Sequence, residues 1–167
     1  PVRIRAGVRF WERNREALAR AQEQFGVPPE IIVGIVGVET IYGQNMGSYR
    51  VIDALATLTF DFPARHPRAQ ARQAFLQDEL EQFLSLASRT GIDPRAPLGS
   101  YAGAMGMPQF MPSSWVRYAI DFDGDGRVDL TRRPTGRSEQ RGRQVLATPQ
   151  HPCVVVAHRG EQAQLVL

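Results

Sequence analysis

The chain has 167 residues, 43% apolar and 22% charged, enough for one domain with a sizeable core. It contains no apolar run of the roughly 20 residues that a membrane-spanning helix needs. The net charge of +3 is unevenly placed: residues 1–130 hold 14 Arg against 15 Asp and Glu, while residues 131–167 hold 6 Arg against 2 Glu. The main body is therefore nearly neutral and carries no basic stripe with interleaved aromatics, which excludes a nucleic-acid partner.

All the Lys-plus-Arg count is Arg, which suggests a GC-rich coding sequence. The chain starts at Pro1 and shows no signal-peptide pattern, so it reads as an excised or processed piece. One cysteine, Cys153, rules out an intrachain disulfide and reads as an unpaired thiol rather than a catalytic one.

In chain order, residues 8–24 predict an amphipathic helix, with Val8, Trp11, Leu18 and Ala21 on one face and Arg and Glu opposite. Gly26 fits its stop, and Val27-Pro28-Pro29 starts a second helix over 29–42. That helix is apolar nearly all round, which places it in a core. Gly34 and Gly37 each cost about 1 kcal/mol against Ala there, so another backbone is expected to pack close. A strand is the alternative for the Ile/Val run, although the length and the Pro-Pro-Glu start favour a helix.

Residues 51–58 predict a short helix. Residues 67–89 predict a longer one, with Phe75, Leu76, Leu80, Phe83, Leu84 and Ala87 on its apolar side and Gly91 at its end. Residues 92–111, rich in Gly, Pro and Met, predict a compact loop. Pro112 opens a short helix through about Tyr118, and an acidic loop follows at 121–129. No internal repeat is present.

Glu39 is the anomaly of the second helix. A carboxylate among Ile and Val is costly unless it is paired or protonated. A carboxylic acid that stays protonated near neutral pH is what general-acid cleavage of a glycosidic bond requires. On position alone, a structural Glu bonded to a helix terminus or an Arg stands equally beside that reading. The acids between Glu39 and Asp121, namely Asp53, Asp61, Asp78, Glu79, Glu81 and Asp93, read as surface or cap residues. The loop from Ser100 to Gln109 combines small residues, which let a backbone approach a ligand, with an amide that both donates to and accepts from sugar groups. By itself it reads more readily as a tight structural loop than as a binding one.

Three segments fall in one order: Phe25-Gly26-Val27-Pro28-Pro29-Glu30-Ile31-Ile32; Val38-Glu39-Thr40-Ile41-Tyr42-Gly43; and Gly99-Ser100-Tyr101-Ala102-Gly103-Ala104-Met105-Gly106 running into Gln109-Phe110-Met111-Pro112-Ser113-Ser114. Together they resemble the lytic transglycosylase B family, glycoside hydrolase family 103, over about residues 1–130. The resemblance implies a mainly α, lysozyme-like catalytic core and cleavage of the MurNAc–GlcNAc β-1,4 bond of peptidoglycan. It implies that Glu39 acts alone, first as acid and then as base, where ordinary glycosidases use two carboxylates. The muramyl C6 hydroxyl replaces water, and the product is a 1,6-anhydromuramyl end. It also implies that Gln109 faces the glycan and that Ser100 and Tyr101 line the cleft; Met105 reads as lining or core and is placed with the lining residues, and Tyr42, one turn from Glu39, is expected to help position the acid or the sugar. Phe110 is assigned to the core. No required cofactor is expected. The expected partner is a glycan strand, the expected state a monomer, and the implied location the bacterial envelope or periplasm, with the parent protein either an outer-membrane lipoprotein or a secreted one.

Asp121-Phe-Asp123-Gly-Asp125-Gly126-Arg127-Val128-Asp129 matches the first nine positions of an EF-hand loop, with oxygen ligands from Asp121, Asp123 and Asp125 and the Arg127 carbonyl. An Asx-rich turn is the alternative. Position 12, normally Glu, is Arg132, so a structural calcium ion is expected to bind weakly. A relative of the same family resembles this loop but takes its last carboxylate a few residues later, where this chain has Pro134-Thr135-Gly136.

The resemblance stops near Leu130. Residues 131–167 form an atypical, Arg-rich, irregular tail in which Val154-Val155-Val156 reads as a short strand. Three functions stay open at this level: a lytic transglycosylase, a non-catalytic peptidoglycan-binding fragment, and a hydrolytic muramidase. Two origins stay open for the tail, a shifted reading frame or a divergent C-terminus. Gly136 through Leu146, read one base later, can encode Asp-Ala-Ala-Ser-Ser-Val-Ala-Asp-Lys-Phe-Trp, which resembles the family's continuation. Sequencing the coding DNA decides between them: an intact frame without that continuation removes the frameshift.

Overall fold

A computed structural model of the chain describes residues 2–120. Six helices and one two-residue ladder follow in the order α1 (Val2–Arg13), α2 (Arg15–Phe25), α3 (Pro29–Thr40), β1 (Tyr49–Arg50), α4 (Val51–Phe60), α5 (Ala69–Thr90), β2 (Leu98–Gly99) and α6 (Pro112–Tyr118). The fold is mainly α, as expected. β1 and β2 pair antiparallel, Tyr49 with Gly99 and Arg50 with Leu98.

The first expected helix is two. Asn14 is buried, and its side chain bonds back to the Phe10 carbonyl at 2.7 Å, which interrupts the run between α1 and α2. The break changes the phase of the apolar face: α1 buries Ala6, Gly7 and Phe10, and Val8 is exposed. Gly26 and Gly91 end α2 and α5 in the left-handed conformation, each donating its N–H to the carbonyl four residues back.

α3 is less enclosed than its composition suggested. Ile32, Val33, Val36 and Thr40 are buried, but Ile31 is exposed and Val38 is 76% exposed. Its two glycines serve different surroundings, and neither meets another backbone. A Cβ on Gly34 would have open space, whereas one on Gly37 would meet the Tyr42 hydroxyl at 2.5 Å. The Tyr42 ring lies between α1 and α3, because a Cβ on Gly7 would meet the same hydroxyl at the same distance. The ring also packs on Phe10, with centroids 5.3 Å apart.

Two apolar clusters result. One joins α1, α2 and α3 through Phe10, Leu18, Ala21, Ile32 and Val36. The other joins α4, α5 and α6 through Val51, Leu55, Leu80, Phe83 and Trp115. The loop between β2 and α6 belongs to both: Met105 and Phe110 are buried in the second cluster, and Met107 packs against the first.

The two glycines of α3 are expected to respond oppositely to alanine. Gly34→Ala stabilises by up to about 1 kcal/mol through helix propensity alone. Gly37→Ala destabilises by about 1–3 kcal/mol, because the added methyl displaces a ring already held from the other side. Urea unfolding followed by circular dichroism measures both signs.

Candidate active site

Glu39 is the penultimate residue of α3, and the helix ends beside it by an unusual route. Ile41, Tyr42 and Gly43 all have positive φ, at 51°, 59° and 83°. For a β-branched residue such as Ile41 this region is an outlier, costing on the order of 1–3 kcal/mol. The turn is held by the Tyr42 N–H on the Val36 carbonyl at 3.2 Å and the Asn45 N–H on the Thr40 carbonyl at 2.8 Å. It sends the chain away from the helix axis, so the Tyr42 side chain folds back into the first cluster. That half-buried position supports α1 and α3, and the ring does not continue the face that carries Glu39.

Thr40 fastens this helix end to the glycine-rich loop. Its side chain is 0% exposed. The hydroxyl accepts the Gly43 N–H at 3.0 Å and donates towards the Met107 carbonyl at 3.0 Å, with the Val36 carbonyl at 3.3 Å. Glu39 itself is half-buried rather than enclosed, and among the described residues no hydrogen bond or ion pair reaches its carboxyl group. The alternative of a structural Glu needs a partner on a helix end or an Arg, and the described residues supply none.

The loop itself is a small folded unit. Met105 and Phe110 exchange two backbone hydrogen bonds, at 2.8 and 3.0 Å, and enclose Gln109 at φ 52°. The Gln109 amide donates to the Met46 carbonyl at 3.3 Å and the Gly106 carbonyl at 2.9 Å, which leaves its own carbonyl as an acceptor with no donor among the described residues. Ser100 Oγ accepts the N–H groups of Ala102 and Ala104 at 3.2 and 3.0 Å and braces the turn. Gly47 is required by contact: with φ at 90°, a Cβ there would collide with the Gly99 carbonyl.

Glu39 and Gln109 each lie within two residues of the Thr40–Met107 bond. Tyr101 is 74% exposed at the tip of the turn, open to a ligand. Met105 is a correction to the expected cleft lining: at 1% exposure its side chain fills the second cluster, because its backbone pairs with Phe110 and turns it inward. Phe110 is core, as assigned. The acidic loop, with Asp121, Asp123, Asp125 and Arg127, and the tail lie outside the described residues. Among the described residues no cluster of three or more His, Cys, Asp or Glu could hold a metal ion.

Three features escaped sequence reasoning. Thr40 lies inside the Val38–Gly43 segment, where its residue type alone does not signal a tether to Met107. The Met46 carbonyl, a backbone group, has no sequence signal. Glu79 was read as a surface or cap residue, yet it is 2% exposed. Its spacing from Leu76 and Phe83 puts it on the buried face of α5, which was the available clue.

Residues 1–136 match the family described as Transglycosylase SLT domain. The membrane-bound lytic murein transglycosylase B of Escherichia coli (strain K12) is 50% identical over 130 residues, covering 78% of this chain and 34% of that protein. This chain therefore spans about a third of the curated relative's length. Among solved structures, the soluble lytic transglycosylase SltB1 of Pseudomonas aeruginosa is 56% identical with a TM-score of 0.71, covering 79% of this chain and 42% of that one. The E. coli lytic transglycosylase Slt35, solved in complex with calcium, is 50% identical with a TM-score of 0.72, covering 78% and 39%. SltB3 of P. aeruginosa, solved in complex with NAG-anhNAM-pentapeptide, is 33% identical with a TM-score of 0.69, covering 78% and 33%.

Thr40→Val preserves shape but strands the Gly43 N–H and the Met107 carbonyl. It is expected to cost about 1–3 kcal/mol, the range for leaving a buried polar group unpaired. Thr40→Ser keeps the hydroxyl and retains the bonds. Denaturant midpoints of the two variants check the difference.

Proposed function

Because the chain belongs to the transglycosylase SLT domain family, in its lytic transglycosylase B line, we propose that it cleaves the MurNAc–GlcNAc β-1,4 bond of peptidoglycan, with Glu39 as its single acid and base. The observation that carries this reading is a half-buried carboxyl group with no structural partner among the described residues, at a strained helix end that is bonded to a glycine-rich loop. Backbone outliers of this kind cluster where geometry is held for function.

The chemistry balances on one residue. Glu39 gives its proton to the glycosidic oxygen as the bond from the muramyl C1 breaks, and the GlcNAc end leaves as an alcohol. The resulting carboxylate takes the proton of the muramyl C6 hydroxyl, whose oxygen bonds to C1. Glu39 ends protonated, no water is consumed, and a 1,6-anhydro ring is formed. The relative solved with an anhydro-muramyl ligand supports this product.

Gln109 presents its side-chain carbonyl, which has no donor among the described residues, to a sugar hydroxyl or N–H, and exposed Tyr101 offers a ring face and a hydroxyl. Ser100 and Tyr42 act by holding the loop and the helix end in register. The site lies in the bacterial envelope, where the substrate is, and the chain works as a monomer. Among the described residues no helix is long and apolar enough to cross a membrane. Asp121, Asp123, Asp125 and the Arg127 carbonyl would hold a structural calcium ion, since hard oxygen donors suit that cation. The calcium-bound relative supports that role, and Arg132 in place of the usual twelfth-position Glu makes the site weak. Carboxylates committed to a cation would transfer no proton in the reaction.

Digestion of purified sacculi, read by mass spectrometry, tests the proposal. The chain is expected to release fragments ending in anhydromuramyl groups, one water lighter than reducing ends. Glu39→Gln is expected to lower release by about 10²- to 10⁴-fold, the range for general acid–base catalysis. Reducing ends would mean a hydrolase, and unchanged cleavage by Glu39→Gln would remove Glu39 from the reaction.

A further inference from the structure

Glu79 is the buried acid that the reaction does not use. It lies on the core side of α5 among Leu76, Leu80 and Phe83. Its carboxylate crosses to the first turn of α6, where one oxygen accepts the Ser113 N–H at 2.8 Å and the other accepts the Ser113 hydroxyl at 2.6 Å. α6 needs such a partner. Met111 at its N-cap makes no side-chain capping bond, and Pro112 has no N–H, so the Ser113 amide is the first donor without an intrahelical acceptor. A helix of seven residues does not hold itself in water. Ser113 follows Gln109 by four residues, and Phe110 and Met111 between them pack in the second cluster. Thr40 holds one side of the Met105–Phe110 hairpin, and Glu79 holds the segment that leaves it.

We propose that Glu79 is a positioning residue for the Glu39 site: through both hydrogen bonds to Ser113 it fixes the α6 end of the glycine-rich loop, and so the place of Gln109 and Met107 against α3. This rests on the transglycosylase reading for its catalytic consequence but not for the tether itself. Glu79 touches no substrate and transfers no proton. Glutamine at this position still offers one carbonyl to the Ser113 amide, and its NH₂ donates to the hydroxyl, which rotates to accept. Alanine offers neither.

The test uses the full chain with Glu79→Ala, Glu79→Gln, Ser113→Ala and, as a control for lost stability alone, Leu76→Ala from the same helix. Glu79→Ala is expected to lower kcat on sacculi by about 10²-fold, the effect of an ångström-scale displacement, with KM little changed. Glu79→Gln is expected to restore kcat to within about threefold, and Ser113→Ala to lose about tenfold. Amide exchange over residues 105–115 is expected to be at least about tenfold faster in Glu79→Ala than in Leu76→Ala at equal global stability. Equal kcat and equal exchange in those two variants would overturn the proposal. If Glu79→Ala does not fold, Ser113→Ala decides, and wild-type kcat with wild-type exchange in it overturns the tether. If the unaltered chain cleaves nothing, the functional reading fails, and the exchange comparison alone judges Glu79.

Discussion

The hydroxyl of Thr40 has one hydrogen to donate and lone pairs to accept with, and it uses both where the end of α3 meets the glycine-rich loop. It takes the N–H of Gly43, which closes the left-handed turn after α3, and gives its hydrogen towards Met107, which anchors the glycine-rich loop. In water such bonds are each worth about 0.5–1.5 kcal/mol net. Buried at 0% exposure, they matter more for what their loss would strand. Glu39 is the residue before Thr40, so its carboxyl group is placed by a bond that it does not make.

That arrangement explains the shape of the loop. Met107 belongs to one cluster, and Met105 and Phe110 to the other, so the loop cannot shift without disturbing packing on both sides. Gly47 lets its segment approach the Gly99 carbonyl, and Gly99 lets the Ala104 carbonyl approach, with no Cβ in either place. Positive φ at Ile41 and Gln109 costs energy that this packing offsets. Glu79 completes the support from the far side, because α6 is too short to organise its own first turn.

Much of the architecture was legible from pattern. The Pro-Pro start of α3, the glycine ends of α2 and α5, and the Pro112 opening of α6 are local rules with local causes, and they held. The joint at Asn14 was missed because a side-chain bond to the Phe10 carbonyl leaves no trace in periodicity. The exposure of Val38 was missed because an apolar composition does not say which side of a helix is covered.

At the site, the sequence alone determined that Glu39, the glycine-rich loop and Gln109 exist in one order, in the pattern of a peptidoglycan-cleaving family. Residue type and spacing are chain properties, so a motif carries them. Only the tertiary structure decided that Met105 fills the core, that Tyr42 wedges between α1 and α3, and that Glu79 is buried against Ser113. Each of these depends on which distant segment a side chain meets. Hydrogen bonds between residues 34 and 67 positions apart come from packing, and no local spacing encodes them.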